Sequence, residues 1–188
     1  AARTREAREA AAETLERGIP KIGVRGRRTG SSSQGKNLDE PEFEPVWQVA
    51  NQHNAFCMVH PNNVAGIERM KNYYLNNLIG NPLDTTIAAA CLVFGGVIER
   101  YPNIRFYMVH GGGFVPYQAG RWQHGWHVRP EPPKHLREPP AEPPRTFYWD
   151  DIRHPKPQLE CTAQEFVACH ALHSSAHPSG MGRLGRGW

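Results

Sequence analysis

The sequence predicts an α/β fold built on a parallel sheet. Three features predict it: short continuous apolar runs of strand length, longer stretches between them with apolar residues at every third or fourth position, and Pro or Gly at the joints. The short runs fit strands covered on both faces, the longer stretches fit amphipathic helices, and their alternation implies right-handed βαβ crossovers. At 188 residues the chain is shorter than the ~200–250 residues of a closed (β/α)8 barrel.

Residues 1–17, rich in Ala, Glu and Arg, predict a helix that Gly18 and Pro20 end. Lys21 to Val24 reads as a short strand, and Arg25 to Gly35 as a flexible basic loop. A second helix starts at Pro41 with Asp39 as its N-cap, and Phe43, Val46, Trp47 and Ala50 form its apolar face. Residues 55–60, AFCMVH, predict a strand buried on both faces, which Pro61 stops. A long helix is expected over residues 82–101, with Leu83, Ile87, Ala90, Cys91, Phe94 and Ile98 on its buried side. Residues 104–109, IRFYMV, predict the next strand, ended by His110 and the triplet Gly111 to Gly113. Val115 to His127 reads as helix, and residues 129–145, with seven prolines, as irregular chain. Residues 146–149 predict a further strand. Residues 161–188 lose apolar periodicity after Cys169 and are expected to form an irregular, disordered tail.

Composition excludes several function classes. The formal net charge is +4, but residues 1–36 carry 9 Lys/Arg against 4 Asp/Glu, while residues 37–120 carry 4 against 7. The best-patterned stretch is therefore acidic, and no basic stripe interleaves with aromatics, which argues against nucleic acid as a partner. No apolar run has the length of a membrane span and no secretory h-region opens the chain, so membrane association is not expected. Cys57, Cys91, Cys161 and Cys169 form no CxxC pair. Cys57 and Cys91 lie in apolar runs and read as buried free thiols, in keeping with a reducing, cytoplasmic setting.

Two histidines stand out by position, because each directly follows an apolar strand: AFCMV-His60-Pro61 and IRFYMV-His110-Gly111. In parallel α/β folds ligands bind at the carboxyl ends of the strands, where an imidazole can ligate a divalent metal or take a proton. The triplet after His110 lets backbone approach a ligand closely, though it lacks the P-loop pattern and serves equally as a tight turn. Arg121 suits a carboxylate. His124 and His127 share a helix face, Asp150 and Asp151 follow the last predicted strand, and His170, His173 and His177 lie in the tail; solvated roles suit all of these.

A longer series of motifs carries a family resemblance. Asn77-Leu78-Ile79-Gly80-Asn81-Pro82-Leu83-Asp84-Thr85-Thr86, Val97-Ile98-Glu99-Arg100-Tyr101-Pro102, Val109-His110-Gly111-Gly112-Gly113, Pro116-Tyr117, Gly120-Arg121 and His124-Gly125 follow one another in order. Upstream stand Gly35-Lys36-Asn37-Leu38-Asp39-Glu40-Pro41-Glu42-Phe43 and Val59-His60-Pro61. The series resembles the amidohydrolase-related (amidohydrolase 2) family, of the aminocarboxymuconate-semialdehyde and γ-resorcylate decarboxylase type. The resemblance implies a partial TIM (β/α)8 barrel, about strands four to seven. It divides the chain into a loosely matching segment 1–34, a barrel portion 35–160 and an unmatched segment 161–188. It also implies a metal-dependent carboxy-lyase that removes carbon dioxide from a small aromatic or muconate-type acid without oxygen. His60 would be a ligand of a divalent metal, zinc first and manganese as the alternative. His110 would be the catalytic acid–base residue. Arg121 would grip a substrate carboxylate across the interface of a homodimer. The family's first-strand His-x-His and last-strand Gly-Ser-Asp have no counterpart here, so activity is expected to be crippled in this chain. A lactone or amide hydrolase of the same superfamily and a catalytically inactive remnant are the alternatives.

Overall fold

The computed structural model describes residue 13, residues 26–140, 147–150 and 171–172. Its centre is a five-stranded sheet in the order β1 (Gly26–Thr29), β4 (Phe56–Val59), β5 (Arg105–Met108), β6 (Phe147–Asp150) and β7 (Ala171–Leu172), with every neighbour parallel. Between β1 and β4 lie the small hairpin of β2 (Ser32–Ser33) and β3 (Lys36–Asn37) and helix α1 (Glu44–Gln52). Helices α2 (Asn81–Phe94) and α3 (Val97–Arg100) connect β4 to β5, and α4 (Val115–Val128) follows β5. The strands add in chain order in one direction. A doubly wound sheet would reverse at a switch point; unbroken order is what an arc of a (β/α) barrel shows.

The two faces of the arc differ. Cys57, Val59, Phe106, Met108, Phe147 and Trp149 are buried against Trp47 and Ala50 of α1 and Ala88, Ala89, Leu92 and Val93 of α2. On the other face, register aligns Arg28, Met58, Tyr107 and Tyr148. Phe56 lies on that face too, two residues before Met58, with its ring centroid 5.6 Å from those of both Tyr107 and Tyr148. Strands two apart in a flat sheet are about 9.6 Å apart, so the Phe56 and Tyr148 rings lean toward each other over β5, as on the inner, concave face of a barrel arc. Trp47 locks α1 to the helix-covered face: its indole N–H donates to Leu38 O at 2.8 Å and its ring meets Phe106 edge-on at 5.5 Å.

Several expectations change. The predicted helix over 1–17, apart from Glu13, and the strand Lys21 to Val24 lie outside the described residues. The expected loop 25–35 instead holds β1 and a strand of the hairpin; GRRT pairs with β4 through the backbone, and His60 N–H to Thr29 O at 2.9 Å extends the pairing. Asp39 does not cap α1, which is entered through a 3-10 turn, Pro41–Phe43, and receives no side-chain cap. Strand β4 is not buried on both faces, since Phe56 and Met58 stay half-buried. The long helix 82–101 breaks at Gly95 and at Gly96, whose φ of 70° only glycine adopts readily. Its buried side is also rotated: Thr85, Ala88, Ala89 and Leu92 face the sheet, while Leu83, Ile87, Ala90, Cys91, Phe94 and Ile98 are only half-buried. Small side chains let the helix axis approach the strands, and the larger residues fall to its flanks. Of the tail expected to be irregular, Ala171–Leu172 pair with Trp149 and Asp150; the rest of that segment lies outside the described residues. No helix among the described residues is long and apolar enough to cross a membrane.

Cys57 is buried and Cys91 half-buried, and both are free thiols. Burial pushes the Cys57 thiol up to about 12, and burial followed by the charge of Asp39 does the same to Cys91. Native Cys57 should therefore resist iodoacetamide at about pH 8 and label fully in urea, as peptide mass spectrometry reads directly; rapid native labelling would contradict the burial. Trp47→Ala should cost about 3–5 kcal/mol in urea unfolding, whereas an unchanged midpoint would show that the α1–sheet contact carries little.

Candidate functional site

β4 ends where Pro61 removes the next backbone donor, and this leaves His60 at the carboxyl edge of the strand. His60 Nδ1 lies 2.8 Å from Pro61 O. A carbonyl only accepts, so this contact places a proton on Nδ1 and leaves Nε2 outside it. Arg28 Nη2 sits 3.1 Å from the same Nδ1 and 3.5 Å from Asn62 Oδ1.

Register pairs Val59 with Met108, so His110 lies one residue further along its strand than His60. The backbone corrects the offset: His110 takes φ of 59°, and Gly111, Gly112 and Gly113 follow at 58°, 72° and 64°. This left-handed turn brings the two imidazole centroids to 5.3 Å with an interplanar angle of 59°. The glycines are needed for space as well as for φ. A Cβ on Gly112 would fall inside the Trp149 ring, and one on Gly113 would strike Pro82 O and Thr86 Oγ1.

Two residues outside the turn hold it. The Asp150 carboxylate, buried at the end of β6, accepts the backbone N–H of His110 at 2.9 Å and that of Gly111. Thr85, fully buried near the start of α2, lies 3.1 Å from His110 Nδ1 and 3.0 Å from Asn81 O. Its single hydroxyl proton goes to the carbonyl, so the hydroxyl oxygen accepts from His110 Nδ1–H. The chain His110, Thr85, Asn81 thus leaves Nε2 of His110 as the proton acceptor. Burial first, and the neighbouring His60 imidazole second, lower His110 to about 4, so its ring is neutral at pH 7. Nearby, Asp84 is buried and accepts from the Ser31 hydroxyl and from Ala65 N–H at 3.2 Å.

The two expected histidines therefore come together. Arg121 does not join them: it is exposed on α4 and pairs with no carboxylate among the described residues. His124 and His127 are exposed on the same helix. Asp151, His170, His173 and His177 lie outside the described residues. Thr85 and the buried role of Asp150 were missed by reading the sequence. The available signals were weak: Asp-Thr-Thr within a helix start, and an acid directly ending an apolar strand. Among the described residues no group of three or more His, Cys, Asp or Glu side chains converges. A divalent metal site usually takes about three protein ligands, so these residues fit one or two bonds to such a metal and do not form a complete centre.

A family model described as Amidohydrolase matches residues 1–178. The 2-amino-3-carboxymuconate-6-semialdehyde decarboxylase of Dictyostelium discoideum is 37% identical over 123 residues, 65% of this chain and 34% of its own length. The 5-carboxyvanillate decarboxylase of Sphingomonas paucimobilis superposes with a TM-score of 0.83 at 19% identity, over 93% of this chain and 54% of that one. The dihydroxybenzoic acid decarboxylase of Polaromonas sp. JS666, solved with bound manganese, superposes with a TM-score of 0.77 at 21% identity, over 91% of this chain and 55% of that one. The chain thus spans a third to about half of the length of these proteins, and the structural likeness establishes the fold as part of a TIM barrel.

Gly112→Ala should lower urea stability by about 2–4 kcal/mol, the sum of a left-handed φ and overpacking against Trp149. A wild-type midpoint would show that the turn relaxes without cost and does not fix His110.

Proposed function

Because the chain belongs to the amidohydrolase family, we propose that its paired strand-end imidazoles serve non-oxidative decarboxylation of a small aromatic or muconate-type carboxylic acid. The observation that carries the reading is the His60–His110 pair, with centroids 5.3 Å apart at the carboxyl ends of adjacent parallel strands. The decarboxylases of Dictyostelium, Sphingomonas and Polaromonas support it as relatives.

In such a reaction the bond between carbon and carboxylate breaks and its electron pair stays on the carbon. A proton takes the place of the departing carbon dioxide. His110 is proposed to take that proton at Nε2, the nitrogen its contact with Thr85 leaves bare, from a substrate hydroxyl or from water and to pass it to the carbon. His60 Nε2 is proposed as one bond to a divalent metal, zinc or manganese; such an ion polarises a bound oxygen. Arg121 is proposed to grip a substrate carboxylate in a homodimer, in keeping with its exposed guanidinium, which pairs with no carboxylate among the described residues. A cytoplasmic setting belongs to the same reading and is supported by the free thiols Cys57 and Cys91. The short donor set at the site favours a second reading, a chain that binds acids without turnover.

The test is carbon dioxide release from 2-hydroxybenzoate-type and muconate-type acids by the 188-residue chain, with metal content measured in parallel. His110→Asn should reduce release by about a hundredfold or more, and His60→Ala should abolish stoichiometric zinc or manganese. No release from any acid would leave the binding-only reading, and a ring-opened acid as product would point to hydrolysis instead.

A further inference from the structure

Thr85 is the only residue of the α2 start that the scheme above uses, yet both residues after it in the first turns and the one before it are placed as deeply. Asp84, Thr85 and Thr86 are 6%, 0% and 9% exposed. Burying a carboxylate and two hydroxyls is costly unless each is bonded. The helix goes on toward the sheet with Ala88, Ala89, Leu92 and Val93, so packing alone would be served by apolar residues at its start. Successive residues of an α-helix point about 100° apart. Three polar side chains in a row therefore reach in three directions, and all three bond to chain that leaves the carboxyl end of a strand.

Asp84 joins two such loops. One oxygen accepts from the Ser31 hydroxyl, two residues beyond β1, and the other from Ala65 N–H at 3.2 Å, in the loop that His60 opens. His60 N–H donates to Thr29 O at 2.9 Å. The backbone from Thr29 to Ser31, the Asp84 carboxylate and the backbone from Ala65 back to His60 thus close a ring of bonds that includes His60. Its two sides touch, since a Cβ on Gly30 would press on Asn62 Nδ2. Thr85 meets the His110 ring. Thr86 holds the far end of the glycine turn: its hydroxyl donates to Pro82 O at 2.8 Å and accepts from Phe114 N–H at 2.7 Å.

We propose that Asp84 and Thr86 are positioning residues, Asp84 for His60 and Thr86 for His110, and that the first turns of α2 are the common frame that sets the 5.3 Å spacing of the two rings. The imidazoles stand on different strands, and strand pairing ends before either of them. What fixes one against the other beyond the sheet is a single helix to which both loops are tied. Both residues act through the histidines. A displacement of about 1 Å can cost a hundredfold in rate, so loss of either tether lowers kcat and leaves KM nearly unchanged. That kinetic consequence rests on the decarboxylase reading; the spacing of the rings does not.

The test is the nuclear Overhauser cross-peak between the His60 and His110 ring protons in the full chain without added metal, with amide exchange of Ala65 and Phe114 and the urea midpoint read in parallel. Spectra are taken where circular dichroism shows each variant fully folded. Asp84→Ala should weaken the cross-peak severalfold and speed exchange at Ala65. Asp84→Asn should restore most of it, because an amide oxygen still accepts from Ala65 N–H and the amide NH2 can donate to the Ser31 hydroxyl. Thr86→Val should also weaken the cross-peak, but speed exchange at Phe114 and not at Ala65. If Asp84→Ala fails to fold, Ser31→Ala opens the same ring of bonds by removing one hydroxyl and should weaken the cross-peak in the same direction. A lower midpoint with the cross-peak unchanged would reduce these residues to structural ones and overturn the proposal, as would Asn performing no better than Ala at position 84. Absence of carbon dioxide release by wild type, with the cross-peak differences intact, would sink the decarboxylase reading and leave the positioning roles standing.

Discussion

The site depends on one carboxylate. Asp150 ends β6 and accepts the backbone N–H groups of both His110 and Gly111. Those donors belong to the turn after β5, where φ is positive at four successive residues. Such a backbone is costly for His110, which has a Cβ, and it persists where surrounding contacts over-determine it. Asp150 supplies those contacts from the next strand, and Trp149 beside it fills the space that a side chain on Gly112 would need. Parallel pairing of β5 with β6 is thus what aims the His110 ring.

The remaining geometry follows from that turn and from the curvature of the sheet. His60 and His110 do not sit at the same level of their strands; the left-handed backbone closes the offset. Thr85, from a helix packed on the opposite face, fixes the His110 tautomer, while Pro61 O fixes that of His60. Each ring thereby has one nitrogen held by a protein oxygen and one left for chemistry. The concave face brings Arg28, from the first strand of the arc, up to the same rim.

Strands β4, β5 and β6 and the two strand-end histidines were legible in the sequence, because each strand has a core of three or four consecutive apolar or aromatic residues, FCMV, FYM and FYW, with an abrupt end. β1 was not, since GRRT has no apolar residue and its pairing with β4 is a matter of the backbone. The face of α2 was misread because hydrophobicity ranks Leu83 and Ile87 above Ala88 and Ala89, while close helix–sheet approach selects the small residues. Asp150 read as a solvated loop acid, since nothing local marks a carboxylate whose partners lie 39 and 40 residues upstream. Arg28 was hidden for a similar reason: its neighbour His60 lies across a strand pair, 32 residues away. Long-range polar contacts leave no periodicity.

The central claim is that the fold fixes each imidazole with a proton on Nδ1. The most direct measurement is long-range 15N–1H correlation of the histidine rings at neutral pH, with His60→Gln and His110→Gln variants for assignment. A proton on Nδ1 of both rings, with the His110 ring neutral, is the predicted result. An Nε2–H tautomer at His110, or an imidazolium there, would contradict the hydrogen-bonded chain from His110 through Thr85 to Asn81, and the roles built on it.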